Sequence, residues 1–460
     1  MLACGAAFAQ EQAAAETQQP AVANPATETE AEAEVKDEKA TTLEKIGRVV
    51  KFNAQFQSIF VYKNDSDFDD TKPLYDENGQ SVGYLGTFFK PQLALKPVEE
   101  LTIFYEAELG LNLWSRDSAA AYESGRNDTF QLAHREIYAE GHFVNDLIGF
   151  KVGYQKFYDP SGLFLGHWLG AASIISDPKW AKFTLSVGQL PDQTYEGITL
   201  NENNFKHDTL VYGLRVDVPA WNWMNSISFY GLYDDQIVDQ TTSIFAPMYS
   251  VKADYEIIDF GLDFVFQAGN TRNGGAFSDE TTVAWALQGW ADLLYKGFGF
   301  QFNQLVLSPD DNKDRNKHNG GFYYSGKARS RTIMLSEDEI RDRGGNIDEA
   351  VSVQRGQFYV VRPGYSLSDI AFSYNIKDIF VPALIFGMAF ALEKDNAMGA
   401  TLAGIETDID LEFRYKKVLS AHLIGAFLAP GKAAGVFVNT YDRKANEMQY
   451  MVETSLQVFF

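Results

Sequence analysis

The chain has 460 residues, with 39 Lys and Arg against 62 Asp and Glu, for a formal net charge of −23. So acidic a chain lacks the basic footprint of a nucleic-acid binder. Its longest nearly apolar run, 380–392, falls short of the roughly 20 residues a spanning helix needs. Helical membrane insertion is therefore excluded, whereas a transmembrane β-barrel is not, because its outward and inward residues alternate and average to a polar composition such as the mean hydropathy of −0.22 seen here. The 14% aromatic content, with 37 Gly and only 14 Pro, suits a large β protein.

At the amino terminus, Cys4 is the only cysteine, so neither an intrachain disulfide nor a cysteine-based metal site is expected. Ala7-Phe8-Ala9 before Gln10 has the small-x-small form of a signal-peptidase site, and residues 1–9 read as the remnant of a signal peptide. Acylation of Cys4 is the competing reading. Residues 10–46 are rich in Ala, Glu, Thr, Gln and Pro, cannot bury a core, and read as a disordered acidic tail on the periplasmic side.

From Arg48 onward the dominant signal is alternation. In segment 101–114, Leu101, Ile103, Tyr105, Leu109, Leu111 and Leu113 share one face, and Thr102, Glu106, Glu108 and Asn112 share the other. A strand separates these sets; a helix would mix them. Segment 403–416 repeats the pattern, setting Ile405, Ile409, Leu411 and Phe413 against Glu406, Asp408, Asp410, Glu412 and Arg414. Eighteen such segments are predicted, at about 48–62, 83–96, 100–115, 129–144, 147–157, 164–176, 181–190, 208–219, 225–235, 243–257, 259–271, 281–295, 298–308, 364–377, 381–394, 401–416, 419–429 and 446–460. Short connections alternate with longer polar ones such as 116–128, 158–163, 191–206 and 309–363, the rhythm of a barrel with short periplasmic turns and long external loops. The expected fold is an all-β antiparallel up-and-down transmembrane barrel of 16–18 strands over 47–460.

The last segment alternates through Tyr450, Val452, Thr454, Leu456 and Val458 to Phe460. A terminal Phe on such a strand resembles the signal by which bacterial outer-membrane proteins are recognised by the barrel assembly machinery. A further resemblance lies in Ala133-His134-Arg135-Glu136-Ile137-Tyr138-Ala139-Glu140, followed by Val152-Gly153-Tyr154-Gln155-Lys156 and Tyr158-Asp159-Pro160-Ser161-Gly162-Leu163. This hairpin is similar to one in the alginate-export family of 18-stranded porins, with its Arg-x-x-Tyr strand and its Gly-Arg-Gln strand running into a Gly/Asp-rich turn. Tyr154 stands where that family usually has arginine, so the resemblance carries over the architecture and not the anionic substrate.

The chemistry of such a protein lies in its inward charges. Acidic Glu106, Glu108, Glu136, Glu140, Asp217, Asp254, Glu256, Asp263, Asp292, Glu406, Asp408, Asp410, Glu412 and Glu453 outnumber basic Lys51, Lys90, Lys96, Lys151, Lys182, Arg215, Lys252 and Arg414 on the expected inner face. That excess favours cations; the plainer reading is a mixed-charge wall that orients water. In the long connection 309–363, Lys327, Arg329 and Arg331 either form a constriction inside the barrel or meet lipopolysaccharide phosphates outside, and Ser336 to Glu339 reads as a capping box for a short helix. Most tryptophans should belong to interfacial girdles, while inward Tyr230 and Trp290 could stack on sugars. His134 is expected beside Glu136 on one face, and no histidine spacing indicates a metal or a nucleophile. No catalytic residue, cofactor or metal is expected.

The partners implied are outer-membrane lipid and lipopolysaccharide, the assembly machinery, and small hydrophilic solutes, with no nucleic acid and an open oligomeric state. Passive diffusion with weak cation preference is the leading functional expectation. A substrate-specific polysaccharide or organic-anion channel, or a non-conducting enzyme or adhesion barrel, is the alternative.

Overall fold

The computed structural model describes residues 49–63, 82–112, 131–190, 209–235, 240–273, 279–311, 318–324, 329–335, 359–397, 399–434 and 448–460. The expected signal-peptide remnant 1–9, the tail 10–46, Lys327 and the helix after Ser336 lie outside them.

Eighteen long strands form one closed antiparallel wall. In chain order they begin with β1 (Val50–Lys63), β2 (Val82–Val98), β3 (Leu101–Asn112), β4 (Gln131–Phe143), β5 (Ile148–Tyr158), β6 (Gly166–Ser176), β7 (Lys182–Gln189), β8 (Leu210–Ala220) and β9 (Trp223–Asp234). They continue with β10 (Gln240–Tyr255), β11 (Ile258–Asn273), β12 (Glu280–Tyr295) and β13 (Phe298–Leu307). Three short strands follow inside the long connection, β14 (His318–Asn319), β15 (Phe322–Tyr324) and β16 (Tyr359–Val361). The wall resumes with β17 (Tyr365–Tyr374), β18 (Phe380–Phe390), β19 (Leu402–Tyr415), β20 (Leu419–Pro430) and β21 (Gln449–Phe459). Consecutive wall strands pair with each other, and β13 pairs directly with β17 across the long connection.

The ring closes where β1 meets β21, from Gln55 opposite Phe459 to Lys63 opposite Met451. Phe460 donates its N–H to the Ala54 carbonyl at 2.9 Å. Closure matters because an open strand edge in lipid would leave its N–H and C=O groups without partners.

The short connections fall where the sequence places them, and backbone chemistry explains their sharpness. Lys296 and Gly297, both at positive φ (51° and 84°), make the two-residue turn between β12 and β13. This left-handed pair matches the twist of the flanking strands. Positive φ recurs at Asn145 and Asp146 and at Lys377 and Asp378, residues whose short polar or flexible side chains accept it at modest cost.

Outer faces are apolar and exposed, as on β11 with Leu262, Phe264 and Phe266. Trp180, Trp221 and Tyr295 stand out from the short-turn end, where interfacial aromatics belong.

Two local departures correct the sequence reading. A bulge in β4 opposite Glu106 and Ala107 puts Arg135 and Glu136 together on the inner side. His134 is thereby turned to the outer face, where its Nδ1 lies 2.9 Å from the Tyr105 hydroxyl, and it does not share a face with Glu136. The second departure is at the β5–β6 hairpin. Pairing of β5 with β4 stops at Tyr154 and that of β6 with β7 stops at Gly170, yet β5 and β6 stay paired with each other to Tyr158 and Gly166. The hairpin tip leaves the wall and turns inward, so the connection expected at 158–163 is not an external loop, and Phe164 and Leu165, expected to open the next strand, belong to the tip.

Because the outer face lies in lipid, Phe264→Arg should destabilise the barrel by roughly 2–4 kcal/mol, as a cation does near the bilayer midplane. Trp221→Arg, at a turn, should cost about 1 kcal/mol or less on the same basis. Urea unfolding in lipid vesicles, followed by tryptophan fluorescence, measures both.

Candidate functional site

The barrel interior is divided. Toward the long connections it is filled by chain, and toward the short turns its charged residues remain within reach of water.

The filling begins with the β5–β6 tip, which Asp159 organises. Its carboxylate accepts from the N–H groups of Ser161 (2.7 Å), Gly162 (3.0 Å) and Leu165 (2.6 Å) and from the Ser161 hydroxyl. Burial pushes the Asp159 carboxyl up, and these donors pull it back. The turn drives Leu163, Phe164 and Leu165 inward, each with no exposed surface. Phe157 of the same hairpin meets Tyr230 edge-on at 6.1 Å.

The long connection supplies the rest, and polar side chains on the wall hold its backbone. Gln267 on β11 accepts from the Tyr323 N–H (2.9 Å) and donates to the Tyr323 carbonyl (2.8 Å). Gln288 on β12 accepts from the Arg329 N–H at 2.7 Å. The Arg329 guanidinium lies over the Trp290 ring, 3.8 Å from its centre, and pairs with Asp292. Asp369 on β17 accepts from the Arg331 N–H (3.3 Å) and from the Asn303 amide (2.8 Å). Glu406 on β19 takes three successive N–H groups, those of Ile333 (2.9 Å), Met334 (2.7 Å) and Leu335 (2.6 Å). Asp408 takes a longer contact from the Ile333 N–H, at 3.3 Å. We call residues 329–335 the strap.

Arg362 sits between Glu280 (3.4 Å) and Asp310 (3.6 Å) and holds the return of the connection against the rim. Pro363 accepts from the N–H groups of Leu392 and Glu393 just beyond β18. Residues 322–324, 329–335 and 359–361 thus turn into the barrel, while His318 and Asn319 pair with β12 and extend the wall.

The half nearer the short turns is different. Glu136, Glu140, Lys151, Lys182, Arg215, Lys252, Trp290, Asp292, Asp410 and Glu412 are half-buried inner residues, and Asp254 and Arg414 are exposed at the rim. Many are paired. Glu412 holds the Arg414 guanidinium, Asp217 accepts from Arg215 at 2.7 Å, and Glu140 meets His142 at 2.9 Å. Higher on the wall, buried Glu108 is flanked by Arg135 at 2.6 Å and Lys90 at 3.6 Å, while Glu106 accepts from the Gln92 amide at 2.6 Å. Asp263 is sealed against Ser250 and Gln288.

Glu406, Asp408, Asp410 and Glu412 do lie along one inner face, but the strap divides them. Glu406 and Asp408 are buried under it, with Asp410 and Glu412 open below. Arg329 and Arg331 come inside with the strap. Tyr230 is enclosed by apolar side chains and Trp290 is covered by Arg329, so neither offers a bare stacking face.

His422 places Nε2 3.2 Å from the Ser420 hydroxyl and Nδ1 3.1 Å from Asp410. The spacing is that of a proton relay, but β20 is paired on both sides through Ser420 to His422, leaving no backbone donors there for an oxyanion. Among the described residues no group of three or more His, Cys, Asp or Glu is placed to hold a metal ion.

The roles of Gln267, Gln288, Asp369 and Arg135 as partners of buried backbone and carboxylate groups were not foreseen in the sequence. One signal for a covered wall was present: the inner face of β18 runs Ala383, Ile385, Gly387, Ala389, without a polar residue, and a wall wetted by a pore has no reason to be so bare.

No family model matches the chain, and no curated protein matches it in sequence. Solved structures match its fold. Acinetobacter baumannii OccAB2 is 12% identical with a TM-score of 0.55, over 89% of this chain and 98% of that one. Pseudomonas aeruginosa OccK8 (OprE) is 12% identical with a TM-score of 0.52, over 89% and 98%. The outer membrane protein opdK of Pseudomonas aeruginosa is 10% identical with a TM-score of 0.50, over 89% and 99%. The chain is thus similar over nearly its whole length to large barrels of this kind.

Gln267→Leu would orphan a buried N–H and a buried carbonyl of Tyr323, each loss costing about 1–3 kcal/mol. The variant should denature at lower temperature on a heat-modifiability gel, with unchanged strand content by circular dichroism before heating.

Proposed function

We propose that the chain is a porin of a Gram-negative outer membrane, passing ions and small hydrophilic solutes by diffusion through a barrel narrowed from within. One observation carries this reading: a closed 18-strand wall, apolar outside, encloses a charged interior. Its likeness in fold to an outer membrane protein supports it. Both ends of the described wall, at Val50 and Phe459, lie at the short-turn end. The natural orientation places that end, and the acidic tail 10–46 behind a signal peptide, in the periplasm, with the other end toward lipopolysaccharide. The assembly machinery would read the terminal strand and Phe460.

The path for solutes runs along the half-buried wall. Glu136, Glu140, Asp254, Asp292, Asp410 and Glu412 there face Lys151, Lys182, Arg215, Lys252 and Arg414, and Arg329 stands at the strap. Opposite charges at close range screen one another, so selectivity is weak, with a slight preference for cations. The direct contributions of the charges of Glu106, Glu108, Asp263, Glu406 and Asp408 to it are small, because these carboxylates are buried against donors.

In planar bilayers the refolded chain should give discrete open-state steps, and a correctly folded barrel that never conducts would overturn the reading. Replacing Asp292, Asp410 and Glu412 with Asn, Asn and Gln should move the reversal potential in a salt gradient toward anion preference, most at low salt, where the Debye length reaches about 30 Å at 0.01 M. Deleting Phe460 should deplete heat-modifiable protein in the outer membrane, as seen by fractionation and gel mobility.

A further inference from the structure

We propose that Glu406 is the positioning residue of the constriction: without facing the solute path, it holds the strap, and through the strap it holds Arg329 against Trp290 and Asp292. The inference rests on the porin reading for its meaning, but its geometry stands alone.

Three consecutive N–H groups converging on one carboxylate is an anion-binding arrangement of the backbone. Glu406 Oε1 takes Ile333 and Met334, and Oε2 takes Leu335, all within 2.9 Å. Both oxygens are used, so the grip fixes the direction of the strap as well as its position. The Tyr365 hydroxyl donates to the Leu335 carbonyl at 2.8 Å and closes the far end. Nothing in the alternation of β19 distinguishes Glu406 from Asp410; only its partners do.

The seat beneath the strap is made of absent side chains. Gly387 on β18 stands directly opposite Glu406 in register. A Cβ there would collide with the Thr332 methyl and lie 3.4 Å from both the Thr332 Cβ and a Leu335 methyl. Gly404, on the same strand as Glu406, would place a Cβ 3.2 Å from the other Leu335 methyl. The strap therefore lies flat on the wall because two glycines leave it room, with Glu406 beside them to receive its N–H groups.

Glu406→Gln keeps the size of the side chain but replaces one acceptor oxygen with a donor, which faces an N–H and repels it. Two readouts test the proposal. The first does not need conduction. Leu335 has no exposed surface, so Leu335→Cys should resist a water-soluble maleimide in the otherwise native chain. It should be labelled rapidly once Glu406→Gln is added, while the barrel still migrates as a folded band. Gly387→Leu, which lifts the strap sterically and leaves Glu406 in place, should produce the same labelling, so the test survives if Glu406→Gln fails to fold.

The second readout is the channel. Glu406→Gln should replace a steady open level with flickering, larger steps, and should shift the reversal potential toward cations as Arg329 leaves Asp292. Thr332→Cys with Gly387→Cys in that background should restore the steady level when oxidised and lose it again on reduction. A Cβ at position 387 lies 3.4 Å from that of Thr332, at the short edge of the roughly 3.5–4.5 Å spanned by disulfides. A merely structural role for Glu406 would move stability but not selectivity, and a cross-link could not rescue it reversibly. Protection of Leu335→Cys in folded barrels carrying either Glu406→Gln or Gly387→Leu would overturn the inference. So would unchanged conductance and selectivity in Glu406→Gln. A wild type that never conducts would overturn the porin reading and leave the labelling test to judge the strap.

Discussion

Everything in this molecule depends on one requirement of the bilayer: a backbone that crosses hydrocarbon must find a partner for every N–H and C=O within the protein. The wall meets it by pairing each strand with the next and β1 with β21. The inner loops meet the same requirement by a different route. Inside the barrel the long connection has only the short β15–β16 pair to offer as neighbouring strands, so many of the loop amides are satisfied by side chains instead. Asp159, Gln267, Gln288, Asp369 and Glu406 do that work. Four of the five stand on the wall, and the fifth caps the hairpin tip that leaves it.

This division accounts for the two halves of the interior. Where loops cover the wall, its inner residues are small or aliphatic, as on β18, or they are amides and carboxylates turned to backbone N–H groups. Where no described loop reaches, most inner residues are charged and half-buried, and many are paired in opposite signs. A buried carboxylate is tolerable only with donors around it, and the strap supplies Glu406 with three. The same side-chain type therefore serves as an anchor at one depth and as a water-facing charge two rungs further along the same strand.

The departures from regular pairing have a common effect. The bulge in β4 brings Arg135 inward to Glu108, and the loss of pairing above Tyr154 and Gly170 frees the β5–β6 tip to enter the barrel. Gly153, at φ 138°, sits one residue before the point where β5 leaves β4, and a Cβ there would strike the backbone of Ile137 and Tyr138. Only glycine permits that approach. Irregularities in the wall thus admit the β5–β6 tip and the Arg135 side chain to the interior.

Fold class, strand number, the places of the short turns and the two faces of the regular strands were legible in the sequence; the bulge in β4 that turned His134 outward was not. The legible features follow from a period of two and from turn residues, and these are local properties of the chain. Which inner carboxylates meet water and which hold a loop was not legible, because Glu406 and Asp410 are equivalent by alternation and differ only in what lies above them. That difference is made by residues more than seventy positions away, brought in by the long connection and seated over Gly387. The sequence determined that this is a barrel with a charged inside. Tertiary structure alone decided how that inside is divided, because burial and donor partners arise only from contacts between distant segments.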